Sequence, residues 1–475
     1  MSVTENAVDF NKIERMVQKK CQEIGCGLLK TILENWDAEL SAGRDRGAYR
    51  HKGKRKTVIK TVLGEVEYER TVYEAYGEDG IKKHIYLLDE AMGKNGSGNM
   101  SVLLSEQVVQ ASCEGSYRSA ARSVSEMTGQ SISHTAAWNV LQAIGDRLDA
   151  KEQQAAKQAS ANKGTGDLEA KLLFEEQDGI WLNMQGKSRK TYGKNREMKL
   201  AIAYDGAKKT GKNRYELANK VACANFEDAG KFRKRKEGAI AGVYNTDEIE
   251  TRILGGDGAN WIRQSQTDET VHFQLDQFHR NRAVLQYVSD PDARKTIMGL
   301  LYSNQQDLLL AVIEAYANST EDEQEREGYL TLFSYFQINK DGLIPWHRRG
   351  LSLPKPPAGK TYRRLGAMES NVFTIIGNRM KDRRACWSIN GGNNLARLLC
   401  LKFTGRLSGA LQSLSSAVLP EKYAEKIITV LPPRQIANSV GTGYNGFHRT
   451  SCPPTPEYKW LKAIGELRPF SDIGF

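Results

Sequence analysis

The chain has 475 residues, 40% hydrophobic and 26% charged, the composition of a globular protein long enough for more than one domain. Its 68 Lys and Arg against 57 Asp and Glu leave a net charge of +11 and a pI near 9.1, which suit a polyanionic partner, nucleic acid first. Seven scattered cysteines with no C-x-x-C or Cys/His zinc spacing exclude a disulfide framework and a zinc finger; a polar start without a long apolar run sets the expectation of a cytoplasmic protein with no membrane span.

Apolar residues from Val8 to Leu33 recur every three or four positions and predict a helix over residues 8–43. Eight Lys and Arg follow between Arg44 and Lys60, and Val58, Ile59, Val62, Val66, Tyr68 and Val72 then predict a β-ribbon turning at Leu63-Gly64-Glu65. The basic run can lie along phosphates or form a solvated loop. Residues 101–149 read as helical. Within 116–145, a helix from Ser116, a glycine turn at Thr128–Ser131 and a second helix capped by Ser133 give a helix-turn-helix outline. Many helical hairpins share that outline; if it reads DNA, Arg118, Ser133, His134, Thr135 and Trp138 face the groove. Residues 151–167 are polar and poor in apolar side chains, so they read as a linker between an N-terminal DNA-binding region (1–150) and a catalytic domain (168–475).

The second half opens with Lys171–Gln185, read as a strand, a turn at Asp178-Gly179 and a returning strand. A third strand follows at Met198–Gly206. Ten Lys and Arg against two acids across 187–214, and the run Lys231–Lys236, offer Lys187, Arg189, Lys190, Arg233, Lys234 and Arg235 to phosphates. Strands at Arg252–Leu254 and Val271–Leu275 then end at Asp257 and Asp276. The glycines around Asp257 would let backbone or substrate come close. Three antiparallel strands, a helix, then strands alternating with helices is the ribonuclease H-like order, an α/β fold with a mixed sheet. The chain then reads as helical from Arg282 to Phe336 and irregular beyond; Trp346 in the irregular stretch either anchors it or stacks on an unpaired base. A helix over Ala367–Arg379 carries Glu369 in its first turn, with Phe373 and Ile376 below it and Arg383 beyond, so the carboxylate is expected to face inward. A first-turn glutamate also simply suits the helix dipole. The tail from Gly441 reads as extended.

The segments QDGIW, LGGDGANWI, QLDQFHRNR and GAMESNVFTIIGNRMKDRRACWSINGGNNLARLL resemble the ISLre family of insertion-sequence transposases, related to Mutator-like DDE transposases. The resemblance implies Asp178, Asp257 and Glu369 as metal ligands, Asp276 and His279 as an accessory D-x2-H pair, and a helical insertion over about 283–365 before the glutamate. It departs from a Y-x2-R-x3-E-x6-K pattern, because Leu365 and Ile376 occupy two of those places. Three carboxylates suit two Mg²⁺ or Mn²⁺ ions rather than zinc. The implied activity is binding of element ends in double-stranded DNA, strand cleavage and strand transfer by a homo-oligomer at the nucleoid. A DNA-binding protein without activity, and a nuclease that cuts without joining, are the alternatives.

Overall fold

The computed structural model describes residues 9–77, 80–93, 99–161, 166–382 and 384–414, in two compact units. Arg383 and the tail from Gly441 lie outside the described residues. The first unit holds described residues up to Thr57 and from Val66 to Lys83. Helix α1 (Phe10–Gly43) opens at Asp9, whose carboxylate accepts the Asn11 amide at 3.0 Å. Strands β1 (Arg50–Lys60), β2 (Glu65–Tyr76) and β3 (Lys82–Ile85) pair in that order. Asp37 of α1 is buried, yet satisfied: it accepts the amide and hydroxyl of Thr71 on β2 at 3.0 and 2.6 Å. Much of the basic run is itself β1, with Lys52 and Lys56 paired to Glu74 and Glu67 at 3.2 and 3.4 Å.

In the second unit come α2 (Leu87–Ala91), α3 (Val102–Glu114), α4 (Tyr117–Thr128) and α5 (His134–Ser160). Ser101, Ser116 and Ser133 cap the last three, each hydroxyl accepting an amide three residues on at 3.0–3.2 Å. The glycine turn holds too, Gly129 ending α4 at φ 67°. The expected linker is different: its residues 151–160 extend α5. Its Ala, Gln, Glu and Lys are good helix formers, and a neighbouring helix covers one side. One apolar core runs from Met100 to Leu414, so the division expected near residue 150 falls inside a single unit.

The sheet is built from β4 (Leu172–Met184), β5 (Asn195–Tyr204), β8 (Val221–Asn225), β9 (Thr251–Gly256) and β10 (Val271–Leu275), with a side hairpin of β6 (Ala207–Lys209) and β7 (Tyr215–Leu217). Its order is β10-β9-β4-β5-β8, and β11 (Cys386–Trp387) adds to β4. Strand β5 runs antiparallel to both its neighbours, β4 and β8, whereas β9, β10 and β11 run parallel to β4. No turn occurs at Asp178-Gly179: β4 passes straight through, with Asp178 opposite Leu200 and Gly179 opposite Lys199. A Cβ at Gly179 would meet the movable carboxylate end of Glu197 on β5 at 2.1 Å. The third antiparallel strand is therefore β8, whose Val-Ala-Cys-Ala-Asn is too short and small-residued to stand out in sequence. The architecture is mixed α/β.

Helices α6 (Gly186–Tyr192), α7 (Ala229–Ala241) and α8 (Asn260–Arg263) link these strands. Four more, α9 (Gln277–Tyr287), α10 (Pro291–Ser303), α11 (Gln306–Ser319) and α12 (Glu323–Ile338), share a second core with Leu254 and Phe273. Trp346 beyond them is an anchor: it is buried, its ring lies 5.4 Å from that of Phe174, and its amide bonds Gln274 at 2.8 Å. A helical stretch then comprises α13 (Met368–Asn371), a π-helical turn (Val372–Gly377) and α14 (Asn378–Met380), followed by α15 (Ile389–Phe403) and α16 (Leu407–Gln412). Among the described residues, no helix is long and apolar enough to cross a membrane.

Candidate metal centre

Strand register brings the acids together. The pairing that sets Leu172 beside Thr251 and Glu176 beside Gly255, carried two residues further, brings Asp178 level with Asp257. The pairing of Leu275 with Gly256, carried one residue further, brings Asp276 level with Asp257. Asp178, Asp257, Asp276, His279 and Glu369 line one cleft, together with Glu176 and Gly255-Gly256. All five residues read from the sequence as the chemical site thus meet, although Asp178 and Glu369 stand on elements far apart in the chain.

His279 lies in the first turn of α9, with Nε2 3.3 Å from Glu369 Oε1 and 3.8 Å from Asp178 Oδ2. Ligand atoms of Asp178, His279 and Glu369 lie within 4.8 Å of one another. Asp276 caps α9, accepting the amides of Phe278 and His279 at 2.9 and 3.1 Å. It therefore sets His279 through the backbone of the helix. Asp257 Oδ1 accepts the Ala259 amide at 2.8 Å, and the Asp257 carbonyl accepts the Tyr335 hydroxyl at 2.7 Å, which ties the turn to α12.

Electrostatics follow from this crowding. Burial, then the Asp178 charge, pushes Asp257 above the ordinary carboxylate range, and the same two causes in the same order raise Glu369. His279 is raised by its hydrogen bond to Asp178 and by the charges of Asp178, Asp276 and Asp257, against burial. Two carboxyls raised by burial and by the nearby Asp178 charge, with an imidazole beside them, form a group that gains from added positive charge.

Glu369 is less inward than the helical spacing predicts. Its side chain is 47% exposed and Phe373 is 56% exposed, whereas Ile376 is fully buried. The π-helical turn at Val372–Gly377 adds backbone to the turn, so Phe373 and Ile376 no longer share a face. The glycines beside Asp257 make room for the chain's own side chains. A Cβ at Gly255 would sit 2.7 Å from Leu365, and Gly258 adopts φ +87° with Asn339 pressed against it.

The residues expected on DNA divide. Ser133 caps α5, and Arg118, His134 and Thr135 are exposed in the first turns of α4 and α5. Lys187, Arg189 and Lys190 are exposed on α6, as is Lys234 on α7. Arg233 donates to the Gln264 carbonyl at 2.8 Å. Arg235 is a correction: it is 5% exposed and bonds Glu227 at 2.7 Å and Asp149 and Glu152 at 2.9 Å, so it is not available to phosphate. The run of charges wraps a helix, and α7 turns Phe232, Arg235 and Lys236 inward together. Glu176 was not singled out by the sequence, although two consecutive acids directly after the apolar run Leu172–Phe174 were a usable signal.

A family model described as "Uncharacterised protein family (UPF0236)" matches residues 3–414. A "UPF0236 protein in vanSb 3'region" from Streptococcus gallolyticus is 21% identical over 407 residues, covering 83% of either chain. A UPF0236 protein from Caldanaerobacter subterraneus subsp. tengcongensis is 23% identical over 342 residues, 71% of this chain and 68% of its own. Another from that organism, 23% identical over 344 residues and with the same two coverages, bears a name joining eleven designations.

Proposed function

The chain belongs to the UPF0236 family, and on that footing we propose that it is a DDE transposase of the ISLre type, cleaving and joining DNA at the ends of a mobile element. The observation that carries the reading is the convergence of Asp178, Asp257 and Glu369, from a strand, a strand end and a distant helix, on one cleft with His279; of these, Asp178, Glu369 and His279 bring ligand atoms within 4.8 Å of one another. The sheet supports it: three antiparallel strands followed by two parallel ones, ordered β8-β5-β4-β9-β10, suit a ribonuclease H-like domain with acids on its first and fourth strands. Exposed Lys187, Arg189, Lys190 and Lys234 and the net charge of +11 suit a DNA partner. The relative whose name joins eleven designations fits a sequence held in many copies.

Oxygen donors with one imidazole and no thiolate suit Mg²⁺ or Mn²⁺. When bound, two such ions supply Lewis acidity for nucleophilic attack and for departure of the 3′ oxygen. Asp178 and Asp257 would hold both ions between them, and Glu369 would hold one. His279, drawn toward the charged form by its acidic neighbours, would orient the scissile phosphate or the attacking water. Two element ends brought together make a homo-oligomer on DNA part of the proposal.

The test uses labelled element-end DNA with Mg²⁺. Asp257→Asn and Glu369→Gln are each expected to slow cleavage by roughly 10³-fold, the equivalent of several kcal/mol of charge stabilisation, while end binding persists. Wild-type cleavage rates in either variant would overturn the assignment. Joining into a plasmid target separates transposition from cutting alone, and a wild type that binds ends without cleaving them would be a DNA-binding protein.

A further inference from the structure

Glu176, two residues before Asp178 on β4, is 2% exposed and occupied by four donors. Its carboxylate accepts the Tyr204 hydroxyl at 2.7 Å and the amides of Gly366, Ala367 and Met368 at 2.8, 3.0 and 3.3 Å. Those three amides are successive backbone donors where the Glu369 helix begins. The first N–H groups of a helix have no partner inside it, and Ala367, at the N-cap position, has no polar side chain to cap it. A carboxylate from the sheet takes that place across 190 residues of chain. Glu176 and Asp178 project from the same face of β4, roughly 6–7 Å apart. The next residue after the bonded amides is Glu369.

We infer that Glu176 is the positioning residue of the centre, clamping the entry of the Glu369 helix onto β4 so that Glu369 is held at a set distance from Asp178. The surroundings are built for that clamp. Gly255 on β9 leaves space that Leu365 and Glu176 both approach, since a Cβ there would lie 2.7 Å from Leu365 Cδ1 and 3.4 Å from Glu176 Cγ. The clamp also explains how a carboxylate on a half-exposed four-residue helical start keeps its place beside His279. The inference rests on the proposed metal centre, because positioning Glu369 matters only if Glu369 is a ligand.

The test is a double-mutant cycle on the full chain, with Mn²⁺ as probe, read by electron paramagnetic resonance titration and by hydrogen exchange over residues 364–372. Glu176→Gln keeps one acceptor oxygen and removes the charge: its carbonyl can still face Gly366, Ala367 and Met368 only with its NH2 turned to the Tyr204 hydroxyl, so the three amides are held by a neutral acceptor in place of a carboxylate. It is expected to weaken Mn²⁺ binding about 10–100-fold, the usual range for residues that orient ligands, and to speed exchange at 366–369 while β4 and β5 stay protected. In a Glu369→Gln background the same change is expected to do nothing further to Mn²⁺ binding, because it acts through Glu369. A folded Glu176→Gln chain that binds Mn²⁺ like wild type, or one whose effect multiplies with that of Glu369→Gln, overturns the inference. Should Glu176→Gln fail to fold, Glu176→Asp carries the same cycle with charge kept and reach shortened by one methylene. A wild-type chain that binds no Mn²⁺ fails the metal reading itself, a result distinct from wild-type binding that Glu176 does not affect.

Discussion

Asp257 and Glu369 differ from ordinary surface acids because burial and then the Asp178 charge raise them, and Gly258 beside Asp257 differs from an ordinary turn glycine because it is both left-handed and crowded. A side chain at 258 would be strained at φ +87° and would also meet Asn339 at 2.5 Å. Gly258→Ala is therefore expected to cost at least about 1–2 kcal/mol, visible as a lower urea midpoint, and to misplace Asp257. Thiol chemistry is likewise decided residue by residue. Burial pushes the Cys113 thiol up to about 11 and that of Cys223 to about 12, whereas Cys21 and Cys386 are exposed. Mass spectrometry after treatment with a thiol reagent near pH 8 should find Cys21 and Cys386 modified first. Cys113, Cys223 and Cys400 should react only as the chain unfolds; early labelling of Cys223 would contradict the packing.

Among the elements, α5 and α7 decide how the helices of residues 102–160 join the sheet. A Cβ at Gly238 on α7 would lie 2.7 Å from the backbone N and Cα of Ala156 on α5, and backbone cannot rotate away. Gly238→Ala should separate the two helices and destabilise by about 1–3 kcal/mol in urea unfolding; an unchanged midpoint would mean that residues 151–160 do not pack as described. Helix α7 also meets the sheet through charges, the buried Lys236 with buried Glu175 and partly exposed Glu237, and the partly buried Arg252 with the same two acids at 3.1 and 2.7 Å. Burial opposes ionisation of Glu237, but Lys236 and Arg252 outweigh it and hold the carboxyl below its ordinary 4.5. A depressed acid contributes stability that is present above its unfolded value and lost as pH falls below it. Stability should thus fall from about pH 4.5 downward, and Glu237→Gln should flatten that limb in acid unfolding followed by circular dichroism.

Across the whole molecule, a charge of +11 has consequences that depend on which basic groups are free. If the chain binds DNA as proposed, removing a side chain that neutralises one phosphate should lower the slope of log K against log salt by about 0.9. Lys187→Gln or Lys190→Gln should show that change with stability unaltered. Arg235→Gln should instead leave Glu227, Asp149 and Glu152 without this partner and lower stability, with the salt slope unmoved. The reverse pattern would place Arg235 on DNA after all.

Local signals were legible in the chain because their causes are local. The helix start at Ser116, the serine cap at 133, the glycine turn between them, the strands leading to Asp257 and Asp276, the helices after His279 and the Asp276–His279 spacing all rest on interactions within a few residues. Asp178 was placed at a turn rather than in a strand, since an Asp-Gly pair looks like a turn until the antiparallel neighbour that keeps β4 straight is known. Arg235 looked like its basic neighbours until α7 turned it toward Asp149, and residues 151–160 looked like a linker until α7 covered them. The acids and the histidine were written in the sequence as residue types and spacings. Their distances, the burial of Arg235 and the hold of Glu176 on the Glu369 helix belong to tertiary structure alone, because each depends on groups brought together from across the chain.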